Sequence, residues 1–187
     1  MPLLTTQSAK GFGFGKYQIT ASTESYESIA TITLGASTSN VTFTSIPTTY
    51  KHLQLRASMR CSSVNNMYVQ VGNSTIDTGA NYSWHQLFGD GSNPYSNGGS
   101  NATFSYIGYN FNTSNTNPSI VDFIDYSSTV KTKSYRTLAG TESSGAGFVQ
   151  LWGGNWRSNS AINTIRITPG SGNFDTYSSF ALYGIKG

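Results

Sequence analysis

Apolar residues recur at every second position through most of this chain, in short runs separated by Gly, Asn, Ser and Pro. The clearest run follows Ser45-Ile46-Pro47, where Leu53, Leu55, Ala57 and Met59 alternate with His52, Gln54, Arg56, Ser58 and Arg60. A period of two sends these sets to opposite faces of a strand, so one face is expected in a core and the other toward solvent or a partner. Burying Leu53, Leu55 and Met59 contributes roughly 1.5–3 kcal/mol each. On this reading Leu55→Asp abolishes folding and Gln54→Asp costs little. Before this run, Ala30, Ile32 and Leu34 share a face of a strand starting at Ser28, and Val41 and Phe43 mark another. After a turn at Val64-Asn65-Asn66, Met67, Val69 and Val71 point inward. Four such segments with short links predict a meander of antiparallel neighbours.

Further on, Asn81 to Phe88 alternates as a strand, and the Gly- and Asn-rich GDGSNPYSNGGS after it is expected to be a long surface loop. Phe104 and Tyr106 mark the next strand, followed by Ile120 to Tyr126, Lys131 to Thr141, and Phe148 to Trp152. Ile165 and Ile167 lie in a strand that stops at Pro169. The last run carries Phe180 and Leu182 on one face and Tyr183 and Ile185 on the other, as expected of an internal or covered strand. About ten short strands without an amphipathic helix predict an all-β fold, an antiparallel β-sandwich of jelly-roll-like form. Residues 1–25 break the pattern. Their Gly11-Phe12-Gly13-Phe14-Gly15 run has no preceding strand, no following helix pattern and no P-loop ending, which argues against a phosphate site. The expected organisation is an extended N-terminal arm over 1–25 and a β-sandwich domain over 26–187. Phe12, Phe14 and Tyr17 are the candidate partner-binding residues of the arm.

Composition narrows the function. Only 10% of the 187 residues are charged, while 13% are aromatic, which suits a surface packed against neighbours better than one kept apart by charge. The net charge of +3 comes without a Lys/Arg run, so no nucleic-acid partner is expected. No apolar stretch approaches the length of a membrane helix. Nor does the N-terminus carry the apolar core of a signal peptide, so the chain is expected to be made and folded in a cytoplasm. The single Cys61 excludes an internal disulfide.

Candidate chemistry is sparse. Asp77-Thr78-Gly79-Ala80 has the local pattern of a retroviral-type aspartic protease, but such a site needs two aspartates sharing a proton and the chain has one copy among polar residues. Asp-Thr-Gly is also an ordinary turn. His52 and His85 are the two histidines available to a triad, and no G-x-S-x-G elbow accompanies them. Asp122 and Asp125 fall on opposite faces of one expected strand, and no His/Cys pair has ligand spacing. Trp84, Trp152 and Trp156 offer a sugar-stacking platform if exposed, and core if not. No catalytic residue, metal or cofactor is expected.

Several stretches taken together carry a resemblance: TTQSAKGFGFG, TFTSIPTTYKHLQLR, NYSWHQLFGDG, VDFIDYSS and the ending SSFALYGIKG. The chain resembles a recurrent β-sandwich family of tailed-bacteriophage virion proteins, of the kind associated with phages of cyanobacteria and other aquatic bacteria. The resemblance implies a non-enzymatic structural protein located in the virion. Its expected role is capsid decoration (cement), bridging subunits of the major capsid protein together with sister protomers as a homo-oligomer, expected to be a trimer. The alternative it implies is a tail, fibre or receptor-binding subunit whose partners are tail components or a host-surface glycan. A short single domain with an aromatic arm and low surface charge favours cement.

Overall fold

The structure, a computed structural model, describes residues 25–110 and 112–187. Among these residues there are thirteen strands and no helix. In chain order they are β1 (Tyr26–Thr33), β2 (Val41–Phe43), β3 (His52–Met59), β4 (Asn65–Asn73), β5 (Thr75–Ile76), β6 (Tyr82–Gly89) and β7 (Pro94–Ala102). There follow β8 (Ser105–Asn110), β9 (Asn117–Phe123), β10 (Lys133–Ser143), β11 (Ala146–Trp156), β12 (Thr164–Pro169) and β13 (Ser179–Ile185). Eight of them form one sheet in the order β1-β13-β3-β9-β10-β11-β6-β7. The second sheet runs β2-β12-β4-β5, with β8 also paired to β4. Every pairing is antiparallel. The two sheets face each other as a β-sandwich.

The inward faces are those the alternation predicts. Leu53, Leu55 and Met59 of β3 are fully buried, as are Met67, Val69 and Val71 of β4, Ile165 and Ile167 of β12, and Phe180 and Leu182 of β13. All belong to one apolar core. The last strand is internal, flanked by β1 on one side and β3 on the other.

The expected meander is not formed. Strands β1 to β4 alternate between the sheets, and none of the four pairs with another of them. Their partners come from far along the chain: β1 on β13, β2 on β12, β3 on β13 and β9. Links such as 34–40 and 44–51 are long enough to cross the ~10 Å between packed sheets. The crossing lets each strand of a sequential pair bury its apolar face from the opposite side of one core.

The stretch read as a long loop is mostly strand. The Asp90 carboxylate caps a tight turn, accepting the N–H groups of Ser92 (2.9 Å) and Asn93 (2.7 Å), and Gly91 takes φ of 88° there. From Pro94 the chain then returns along β6 as the edge strand β7. With both its faces largely exposed, it carries no apolar alternation. Boundaries also move elsewhere. The strand expected over Ile120 to Tyr126 runs Asn117–Phe123, and Asp125 sits in a turn at φ 48°. Strand β11 continues through Gly153-Gly154, paired with both β10 and β6, and the Tyr135 ring fills the space above Gly154, 2.3 Å from where a Cβ would stand. The arm residues Phe12, Phe14 and Tyr17 lie outside the described residues.

Candidate interaction surface

Most of the residues singled out for chemistry are engaged in bonds that hold the fold. The Asp77 carboxylate accepts the Gly79 N–H (2.8 Å), the Asn81 amide (2.9 Å) and the Trp156 indole N–H (2.7 Å). Partial burial pushes its pKa up, but the donors from Trp156, Asn81 and Gly79 outweigh that and hold it below the ordinary carboxylate value. Asp77 therefore anchors its own turn. The polar recess of about 390 Å³ beside it contains no histidine, cysteine or second carboxylate.

His52 accepts the Asp125 backbone N–H through Nδ1 at 3.0 Å, which occupies that nitrogen in holding the turn. Asp125 is clamped by Lys131 (2.9 Å) and Lys51 (3.0 Å), and these two lysines lower its pKa to about 2. His85 lies exposed over Gly98 on the opposite part of the sheet. Among the described residues no serine hydroxyl is hydrogen-bonded to either histidine, and no three His, Cys, Asp or Glu side chains gather as a metal site. Asp122 accepts the Gln54 amide (2.8 Å) and the Arg136 Nε–H (3.2 Å).

The three tryptophans do not make an exposed platform. Trp152 and Trp156 are buried. Trp84 is half-buried and packs edge-on against Tyr106 at 4.6 Å and tilted against Trp152 at 5.6 Å. These rings belong to the margin of the core, as large aromatics in such folds commonly do.

A different feature emerges on the outer face of the eight-stranded sheet. Ile120 of β9, Leu138 of β10, Leu151 of β11 and Leu87 of β6 stand directly opposite one another across four neighbouring strands. They form a straight apolar row whose members expose 41%, 55%, 50% and 55% of their surface. Polar residues close its ends, Arg56 opposite Ile120 and Ser96 opposite Leu87. Two residues further along the strands, the next outward row is Pro118, Gly140, Val149 and Gly89. Its glycines drop the surface into a cleft of about 550 Å³, bounded at its far side by Glu142 and Asp90. At its far side a Cβ on Gly147, opposite Glu142, would lie 2.0 Å from the Thr141 carbonyl, so no side chain fills that end. Ridge and trough thus run side by side, the trough interrupted on β11 by Val149, which is 67% exposed.

Alternation alone does not reveal this surface, because it assigns outward positions to polar residues. The available signal is adjacent apolar residues within a strand, as in Ile120-Val121 and Leu151-Trp152. One of each pair must face outward.

Comparison with protein-family models, with curated proteins and with solved structures finds no match to this chain.

Proposed function

We propose that this chain is a non-enzymatic structural protein of a phage virion, a capsid decoration (cement) protein that docks on neighbouring protein subunits through the outer face of its eight-stranded sheet. The resemblance of its strand and turn motifs to phage virion β-sandwich proteins supplies the setting. The observation that carries the docking is the apolar row Ile120–Leu138–Leu151–Leu87. Aligned exposed aliphatics of this kind mark association surfaces, since lone exposed apolar residues are ordinary but contiguous ones are not. Covering the half of each side chain that is still exposed contributes roughly 1 kcal/mol per residue. A protein seated across a junction between shell subunits engages several of them together, and joint engagement multiplies modest contacts.

The test is a Leu138→Glu/Leu151→Glu variant added to phage particles that lack the protein. The variant is expected to keep the circular dichroism and melting of the parent yet fail to sediment with the particles. Electron cryomicroscopy of particles decorated with the parent is expected to place it on the head. Undiminished binding of the variant overturns the docking surface, and density on the tail or fibres replaces the cement role with the tail role.

A further inference from the structure

We infer that the ridge and trough on the outer sheet face form a self-complementary contact, so that the face pairs with the same face of a second copy of this chain about a two-fold axis. The inference rests on the reading of this face as a docking surface and concerns the chain free of the particle, where a second copy covers the face that shell subunits otherwise take.

The geometry follows from the register. Same-face residues along a strand are ~6.7 Å apart, so ridge and trough are neighbouring, parallel rows crossing β9, β10, β11 and β6. A two-fold axis lying in the interface, parallel to both rows and midway between them, lays each copy's ridge on the other's trough. It leaves the order of strands unchanged. Leu138 then descends on the partner's Gly140 position and Leu87 on its Gly89 position, where the cleft provides room. On the other two strands side chain meets side chain, Leu151 on Val149 and Ile120 on Pro118, and these contacts are apolar on both sides. Face-to-face sheets pack with a rotation of about 30°, which displaces the outer pairs by less than one row.

Charge supports the same arrangement. One row beyond the ridge stands Arg136, which also reaches Asp122 of its own chain at 3.2 Å, and one row beyond the trough stands Glu142, both on β10 and both exposed. The two-fold operation that puts ridge on trough brings the Arg136 row onto the Glu142 row, on both sides of the dyad. The interface acquires an apolar centre and a charged rim, as specific interfaces do. Within one chain the two residues lie about 20 Å apart along an extended strand and do not pair. Four strands by four rows cover a rectangle of roughly 19 Å by 27 Å, about 1,000 Å² in total from the two copies, the lower end of specific interfaces. The dimer is therefore expected to form reversibly at micromolar concentration.

The experiment is sedimentation velocity and native mass measurement of the full chain from micromolar to submillimolar concentration. The parent is expected to give a reversible dimer. Leu138→Glu is expected to weaken it by roughly tenfold or more, with the melting temperature of the dilute protein unchanged. Arg136→Glu and Glu142→Arg each weaken it, and the double variant is expected to associate more tightly than either single one. That recovery reads a contact between chains, because the two sites are too far apart to interact within one. A parent that stays monomeric overturns the inference, whatever else covers the row; so does a trimer without a dimer, or a dimer indifferent to Leu138→Glu. Particle binding separates the two readings. A monomeric parent whose Leu138→Glu/Leu151→Glu variant still loses particle binding sinks the dimer and keeps the docking face. A dimer broken by Leu138→Glu, with particle binding intact in the double variant, keeps the dimer and sinks the docking face.

Discussion

The Tyr82 hydroxyl accepts the Val71 N–H at 3.0 Å and is placed to donate to the carbonyls of Val71 (3.1 Å) and Asp77 (2.9 Å). It fastens the first residue of β6 to β4 of the opposite sheet from a fully buried position. Tyr82→Phe leaves the Val71 N–H without that partner, and a loss of about 1–3 kcal/mol in denaturant unfolding is expected. Cys61 is also fully buried, and burial, with a smaller contribution from Asp175, pushes its thiol pKa up to about 12. Alkylating reagents are therefore expected to leave the native protein unmodified and to label it only on unfolding. Three aspartates govern the acid limb. Lys131 and Lys51 hold Asp125 at about 2, donors outweigh burial at Asp77, and the Asn93 and Ser92 N–H groups lower Asp90. Carboxylates whose folded pKa is depressed contribute stability above their unfolded pKa, roughly 4, and lose it as pH falls through the folded value. The melting temperature is expected to fall between about pH 4 and pH 2, and Asp77→Asn is expected to flatten part of that fall while costing about 1–2 kcal/mol at neutral pH.

At the scale of the element, β3 shows both the reach and the limit of alternation. Leu55 is fully buried, so Leu55→Asp places an unpaired charge in the core and is expected to leave no folded protein in a circular dichroism melt. Gln54 departs from the sequence-based expectation, because it is buried on the outer face at 8% exposure. Its amide donates to Asp122 at 2.8 Å and its carbonyl oxygen accepts the Arg56 Nε–H at 2.8 Å. Gln54→Asp would set a carboxylate beside Asp122 in place of a donor. A loss of about 1–2 kcal/mol is expected from chemical denaturation, where the strand pattern alone predicts near neutrality. The C-terminal strand depends on a glycine for a different reason. A Cβ at Gly184 would fall 2.3 Å from the Tyr50 ring, which lies flat on that part of β13. Gly184→Ala forces ring or strand to move, and a cost of roughly 1–3 kcal/mol is expected.

For the whole molecule, the sheets differ in width, eight strands against five, and the wider one supplies the outer platform on which ridge and trough lie. The sequence of residues 1–16 lacks the alternation of apolar and polar positions that builds the core strands. Deleting Met1 to Lys16 is accordingly expected to lower the melting temperature very little while weakening attachment to the particle. A Phe12→Ser/Phe14→Ser variant is expected to reproduce much of that weakening, since two buried phenylalanines contribute roughly 1.5–3 kcal/mol each. Sedimentation with undecorated particles measures both, and full retention by the shortened chain assigns attachment to the sandwich alone.

The period of two in Leu53-Leu55-Met59, Met67-Val69-Val71, Ile165-Ile167 and Phe180-Leu182 was enough to establish an all-β chain and which side of these strands is buried. That information is local: successive side chains of an extended backbone point to opposite faces whatever the neighbours are. Pairing is not local. Nothing in Ser28–Leu34 announces that it will lie beside the last strand, or in Val41–Phe43 that it will lie beside β12. An apolar face specifies burial without naming the surface that buries it. The same limit hid β7, whose exposed faces leave no pattern, and led Trp84, Trp152 and Trp156 to be weighed as a platform although two of them are buried. It hid the ridge most completely. Ile120, Leu138, Leu151 and Leu87 are far apart along the chain, and their alignment exists only through the register of three strand pairs. Hydrophobicity is a property of each residue, whereas a row is a property of hydrogen-bond registry across a sheet, which the folded chain alone fixes.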